Sequence, residues 1–257
     1  ENAITLAATA NNAKIIDEAL PDDNPVSPKR MIVYLAALVA GVGFPIGIIY
    51  LIGLTKLKIE GRVDVERLTS LPIVGDIPLT SEKQGSIAVF ENKNNLMSET
   101  FRSIRTNLQF MLENGKNVIL VTSTISGEGK SFVSGNLAIS LSLLGKKVVI
   151  VGLDIRKPGL NKVFNIPKKE HGITQYLTNT TINLMDLVQQ SDINKNLFIL
   201  PGGTVPPNPT ELLARDGLDK AIEILRQKFD YVILDTAPVG MVTDTLLVGR
   251  VADLSVY

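Results

Sequence analysis

Residues 118–131 read VILVTSTISGEGKS. The first six, VILVTS, are apolar and largely β-branched, the composition of a strand buried on both faces. A glycine-bearing loop follows, and then a stretch that predicts a helix over 132–144. Strand, loop and helix in that order form the context of a phosphate-binding P-loop. Gly127 and Gly129 allow backbone N–H groups to close around phosphate oxygens, and the helix amino end adds positive potential. Lys130 neutralises outer phosphates and Ser131 can ligate Mg²⁺. The loop residues Ser126, Gly127, Glu128, Gly129, Lys130, Ser131 and Phe132 are therefore expected to hold ATP. Thr124 stands where the usual GxxxxGK[ST] pattern has its first glycine. Taken alone, the stretch could also be a glycine turn that caps a helix.

Three more short apolar runs lie downstream: KVVIVGL at 147–153, LFILP at 197–201 and YVILDTA at 231–237. Helical stretches are expected at 132–144, 174–190 and 209–228. The alternation predicts an α/β fold of the P-loop NTPase type, a mostly parallel sheet with helices on both faces. Ligands of such sheets bind at the carboxyl ends of the strands, and the acidic residues fall there. Asp235 ends YVILD, where it can hold Mg²⁺ through a water opposite Ser131. Considered singly, Asp235 before Thr and Pro is more often a turn residue. Asp154, in GLDIRKP, brings a second carboxylate to the same edge, with Arg156 beside it. The candidate catalytic set is thus Lys130, Asp154 and Asp235, and the candidate metal set is Ser131, Asp154 and Asp235. Ala252 to Tyr257 read as the opening of a further buried strand.

Composition narrows the partners. Lys plus Arg equal Asp plus Glu at 26 each, so the global pull of a basic nucleic-acid-binding domain is absent. There is no cysteine, which excludes disulfides and thiolate chemistry, and a single histidine, His171, cannot build a histidine-rich metal centre. Any metal is expected to be hard and oxygen-bound.

Residues 31–54, MIVYLAALVAGVGFPIGIIYLIGL, carry no charge. As a helix they would be about 36 Å long, enough to cross a hydrocarbon core of about 30 Å. Lys56, Lys58 and Arg62 follow this segment and Lys29 and Arg30 precede it, so charge only mildly favours a cytoplasmic carboxyl side. The stronger reason for that orientation is that ATP is cytoplasmic. The expected organisation is the end of an outer domain at 1–30, with a short strand at 13–19, a transmembrane helix at 31–54, a juxtamembrane linker at 55–95 carrying LPIVGDIP, and a P-loop domain at 96–257 whose carboxyl end is missing.

With the motifs set in order, the chain resembles the bacterial tyrosine kinases of polysaccharide co-polymerases, the membrane autokinases of capsule and exopolysaccharide assembly. The resemblance is carried by the proline-bearing segment before the membrane helix, LPIVGDIP, Glu99, Arg102 and Arg105 in an ExxRxxR arrangement, SGEGKS, LDIRKP, PPNPTELL at 206–213 and ILDTAP. It implies autophosphorylation on tyrosine with ATP and Mg²⁺, and a bacterial inner-membrane location with the kinase domain in the cytoplasm. It also implies a ring-like homo-oligomer built through Glu99, Arg102 and Arg105. A polysaccharide polymerase and export machinery and a tyrosine phosphatase are expected as partners, beside membrane lipid. Read without the family, Glu and Arg three apart are a solvated helix pair.

Two departures stand out. The family's pattern has two carboxylates spaced DxD before the arginine, and Gly152 occupies the first place, leaving Asp154. The family also carries a tyrosine cluster in a flexible carboxyl tail, and the acceptors here are expected beyond residue 257. Two other functions compete. A partition-type P-loop ATPase would share the fold, but its characteristic lysine falls at Ile125. A non-catalytic co-polymerase whose nucleotide tunes assembly is kept open by Gly152.

Overall fold

The computed structural model describes residues 27–55, 59, 61–79, 86–90, 95–113, 115–166 and 171–257. The strand expected at 13–19 lies outside the described residues. Packing divides the chain into one unit up to Leu68 and a second from Thr69.

In the first unit, helix α1 (Arg30–Thr55) continues through Pro45. An 18-residue stretch within Arg30–Leu54 has a mean hydropathy of 2.3, with none of that stretch buried. Twenty-six residues make a helix of about 39 Å, long enough and apolar enough to cross a membrane. Helix α2 (Arg62–Leu68) is short and carries an Arg62–Glu66 pair at 2.8 Å, one turn apart.

The second unit is built on a six-stranded sheet: β1 (Val118–Val121), β2 (Val148–Gly152), β3 (Gln189–Gln190), β4 (Leu197–Leu200), β5 (Tyr231–Asp235) and β6 (Leu254–Val256), in the order β3-β4-β2-β5-β1-β6. All pairings are parallel except β3 with β4. The central strands are apolar throughout because both faces are covered. Val118 and Leu120 of β1, with Val149 and Val151 of β2, face one core; Ile119 and Val121, with Val148 and Ile150, face the other. The first core is closed by α6 (Ile173–Thr178), α7 (Pro209–Ala214) and α8 (Asp216–Lys228). The second is closed by α3 (Leu96–Met111) and α4 (Lys130–Ser142). The short helices α5 (Leu160–Val163) and α9 (Asp244–Gly249) sit at strand ends.

Upstream of α3, Val74 and Ile77 of LPIVGDIP pack on the second core, and Asn107 Nδ2 donates to the Val74 carbonyl at 2.8 Å. Buried Asn136 accepts from the N–H groups of Ala88 and Val89 at 2.8 and 3.1 Å, holding that segment on α4.

Three sequence expectations are corrected. The stretch 174–190 is not one helix: α6 ends at Thr178, a 3-10 turn covers Leu184–Leu187, and Gln189–Gln190 form the antiparallel edge strand. Asn179 accepts from both the N–H and the hydroxyl of Thr181, at 3.1 and 2.7 Å, a local alternative to helical bonding. The stretch 209–228 is two helices, because Arg215 is extended (φ −76°, ψ 158°) between them. Of the run 252–257 only Leu254–Val256 form a strand, β6, which is partly exposed because it pairs with β1 alone and lies at the sheet edge.

Candidate nucleotide site

The P-loop bridges β1 and α4. Gly127 and Gly129 have φ of 98° and 97°, in the left-handed region that side-chain-bearing residues avoid. Gly129 directly precedes α4, so successive N–H groups turn towards one point at the helix amino end. The Glu128 side chain folds back onto the loop. Its Oε2 accepts from the N–H groups of Thr124 and Ile125 at 2.8 and 3.1 Å, which closes the loop on itself. The Phe132 ring meets Phe101 edge-on at 6.1 Å, turned to the core.

The strand ends bring the charged residues together. Lys130 Nζ lies 2.8 Å from Asp154 Oδ2, with the two side chains only 11% and 5% exposed. Asp154 Oδ1 accepts from the Lys157 N–H at 3.0 Å. Asp235 is fully buried; its Oδ2 accepts from Ser131 Oγ at 2.8 Å and its Oδ1 from Ser134 Oγ at 3.1 Å. Ser134 was missed from sequence, although it lies one turn beyond Ser131 on the same helical face. Gly159 is needed here as well, since a Cβ there would sit 2.5 Å from Ser131 Oγ.

Burial pushes the Asp235 carboxyl up to about 6, against the pull of the Lys130 charge and the Ser131 and Ser134 hydroxyls. A carboxyl raised on folding stabilises the fold fully below its unfolded value and loses that contribution as pH rises through its folded value. Without nucleotide or Mg²⁺, this group should therefore make the protein about 2 kcal/mol less stable above pH 7 than near pH 4. Urea midpoints for wild type and Asp235→Asn across pH 4–7.5 measure it. The variant should lose this part of the slope, and an unchanged slope would contradict the assignment.

The donors suit a hard cation. Ser131 and Asp235 offer oxygen, with Asp154 beside them, and no group of three or more His, Cys, Asp or Glu side chains occurs among the described residues. A site with few protein oxygens matches Mg²⁺, which keeps water and phosphate ligands rather than an all-protein cage.

At position 152 there is no carboxylate. Gly152 ends β2 opposite Asp235, and a Cβ there would come within 3.0 Å of the Gly202 nitrogen. Glu99, Arg102 and Arg105 lie apart from this cluster, on α3. Arg102 pairs with Glu99, while Arg105 Nη1 donates at 2.6 Å to the Ser140 carbonyl near the carboxyl end of α4. Arg105 thus caps α4 within its own chain.

A family model for an AAA domain matches residues 116–253, and one for a G-rich domain on tyrosine kinases matches residues 1–52. The BceF tyrosine kinase domain superposes with a TM-score of 0.65 at 31% identity, covering 76% of this chain and 84% of that one. The chain belongs to the bacterial tyrosine kinase family. The kinase domain of the Escherichia coli tyrosine kinase ETK agrees, with a TM-score of 0.70 at 28% identity over 77% of this chain and 80% of that one. The tyrosine-protein kinase wzc of Salmonella typhi is 29% identical over 267 residues, 97% of this chain but 37% of the relative. The chain thus spans little more than a third of that relative's length. Membership in this kinase family implies nucleotide binding at the P-loop. The apolar helix α1, with the G-rich match, suggests an inner-membrane anchor.

Proposed function

We propose that this chain is the membrane-anchored catalytic part of an ATP-dependent protein tyrosine autokinase. The observation that carries the reading is the joining of three segments at one sheet edge: Lys130 on Asp154, and Ser131 on Asp235. Lys130 binds the outer phosphates of ATP, and the N–H groups at the α4 amino end bind the others. Ser131, Asp154 and Asp235 would hold Mg²⁺. The ion, when bound, neutralises charge on the transferring phosphoryl group. Transfer breaks the bond between the γ-phosphorus and the oxygen left on ADP, and forms one to a tyrosine oxygen of a neighbouring subunit. With glycine at 152, Asp154 is the carboxylate left on its segment to take the tyrosine proton. A general base contributes on the order of 10²- to 10⁴-fold, so transfer survives the loss of one of two.

The wider reading follows the family. Residues 96–257 form a cytoplasmic kinase domain behind a linker at 55–95, an inner-membrane helix at 31–54 and the end of a periplasmic domain at 1–30. Phosphorylation-dependent assembly of a ring regulates polymerisation and export of a capsular or exopolysaccharide, and a phosphatase resets it. Added phosphates repel neighbouring subunits.

Incubating the intact protein in detergent with Mg²⁺ and γ-labelled ATP tests this: label on tyrosine supports it. Gly152 favours one second reading, a non-catalytic co-polymerase, for which label would stay on ATP. Release of free phosphate alone would indicate an ATPase of the partition type, against which Ile125 stands. The ring has its own test. Replacing Arg102 and Arg105 together by Ala should leave the protein monomeric by light scattering in detergent, and a persistent ring would refute the assignment. The Arg105 change also removes the α4 cap, at a cost of about 1–2 kcal/mol because the Ser140 carbonyl it meets lies at a buried helix end.

A further inference from the structure

Asp244, the first residue of α9, is a buried carboxylate with no part in the phosphate site described above. Its Oδ2 accepts from Arg156 Nε at 2.6 Å, and its Oδ1 accepts from Arg156 Nη2 at 3.1 Å and from Thr210 Oγ1 at 2.8 Å. Arg156 Nη2 also donates to Thr210 Oγ1 at 2.8 Å, so the threonine hydroxyl accepts from one partner and donates to the other. The three residues come from three different strand ends. Arg156 follows β2, Thr210 lies in α7 after β4, and Asp244 opens α9 after β5. Burial pushes the Asp244 carboxyl upward, but the bonds from Arg156 and Thr210 outweigh it and hold the group below the ordinary carboxylate range. It is therefore ionised at neutral pH and paired to a planar guanidinium fork, a geometry that fixes orientation as well as distance.

The clamp reaches the site through the backbone. Arg156 lies inside the turn that Asp154 closes on the Lys157 N–H, and the other oxygen of Asp154 holds Lys130. Moving Arg156 moves that turn, and with it the carboxylate against which Lys130 is set. No bond runs from the clamp to Lys130, Ser131 or Asp235 among the described hydrogen bonds.

We infer that Asp244 and Thr210 are positioning residues of the phosphate site: through Arg156 they hold the Asp154–Lys157 turn, and so set Lys130 against the phosphates. This rests on the nucleotide-binding reading of the P-loop and gives a role to the PTELL part of PPNPTELL, which the chemistry of the site leaves unused.

The test is the rate at which an acyl-phosphate derivative of ATP acylates Lys130 in the intact detergent-solubilised protein, read by peptide mass spectrometry. Asp244→Asn and Thr210→Val should each slow Lys130 acylation about tenfold at saturating probe, with half-saturation within about twofold of wild type, because small displacements of a reacting group cost rate more than affinity. Thr210→Ser keeps the hydroxyl and should restore the wild-type rate. An unchanged rate in Thr210→Val, or a fall in Thr210→Ser equal to that in Thr210→Val, overturns the inference. So does a loss of rate that tracks a lowered melting midpoint across the variants. Should Asp244→Asn fail to fold, the threonine pair still decides. A wild type that acylates Lys130 but puts no phosphate on tyrosine sinks the autokinase reading alone. A wild type that does not acylate Lys130 sinks both.

Discussion

Lys130→Ala should lower transfer of label from γ-labelled ATP to the protein by on the order of 10²- to 10³-fold, the usual cost of removing one charge aimed at a transition state. Asp154→Asn should come close to it. The reason is the pairing of the two. Lys130 Nζ is held 2.8 Å from Asp154 in a setting where neither side chain is more than 11% exposed, so the cation is oriented before any nucleotide arrives. Stability adds a second signature. Removing the lysine leaves Asp154 buried without its partner, and breaking such a pair costs about 3–5 kcal/mol. The double variant Lys130→Ala/Asp154→Asn removes both charges and should recover much of that stability while remaining inactive. Urea midpoints beside tyrosine labelling separate the two effects. Labelling by Lys130→Ala within threefold of wild type would rule out the role given to the lysine.

Phe101→Ala should destabilise the protein by about 3–5 kcal/mol, the range for truncating a buried aromatic side chain. Phe101 is fully buried on α3 and meets Phe132 edge-on, and Phe132 directly follows Ser131. The same α3 face carries Ile104 and Leu108, also buried, so the cavity would open where α3 and α4 join. Phe110, on the same helix but 86% exposed, is the control: Phe110→Ala should shift a chemical-denaturation midpoint little. Equal shifts for the two variants would show that α3 is not docked as described. Because Phe132 sits at the start of α4, Phe101→Ala should also loosen the loop and weaken nucleotide binding.

The four apolar runs were readable as strands because a strand buried on both faces needs apolar residues at every position, and that demand is local. The P-loop was readable for a similar reason: glycines at 127 and 129 and a lysine and serine at the helix start are adjacent in the chain. Helix limits in 174–190 and 209–228 were less legible. The breaks depend on Asn179 bonding Thr181 and on Arg215 taking an extended conformation, and both are small local preferences that packing tips. Glu128 illustrates the same boundary. Its place in the loop could be read, but its turn back onto Thr124 and Ile125 could not.

What the sequence by itself determined is the parallel sheet, the strand ends that carry Lys130, Asp154 and Asp235, and an apolar helix fit to cross a membrane. Each follows from the periodicity or composition of a short stretch. Only the tertiary structure decided which of these groups are partners. It set Lys130 on Asp154, joined Ser131 and Ser134 to Asp235 from about a hundred residues away, capped α4 with Arg105, and clamped Arg156 between Thr210 and Asp244. Hydrogen bonds between segments so distant in sequence leave no periodic trace in either segment. They exist because a parallel sheet brings the carboxyl ends of its strands to one edge, where the side chains must satisfy one another.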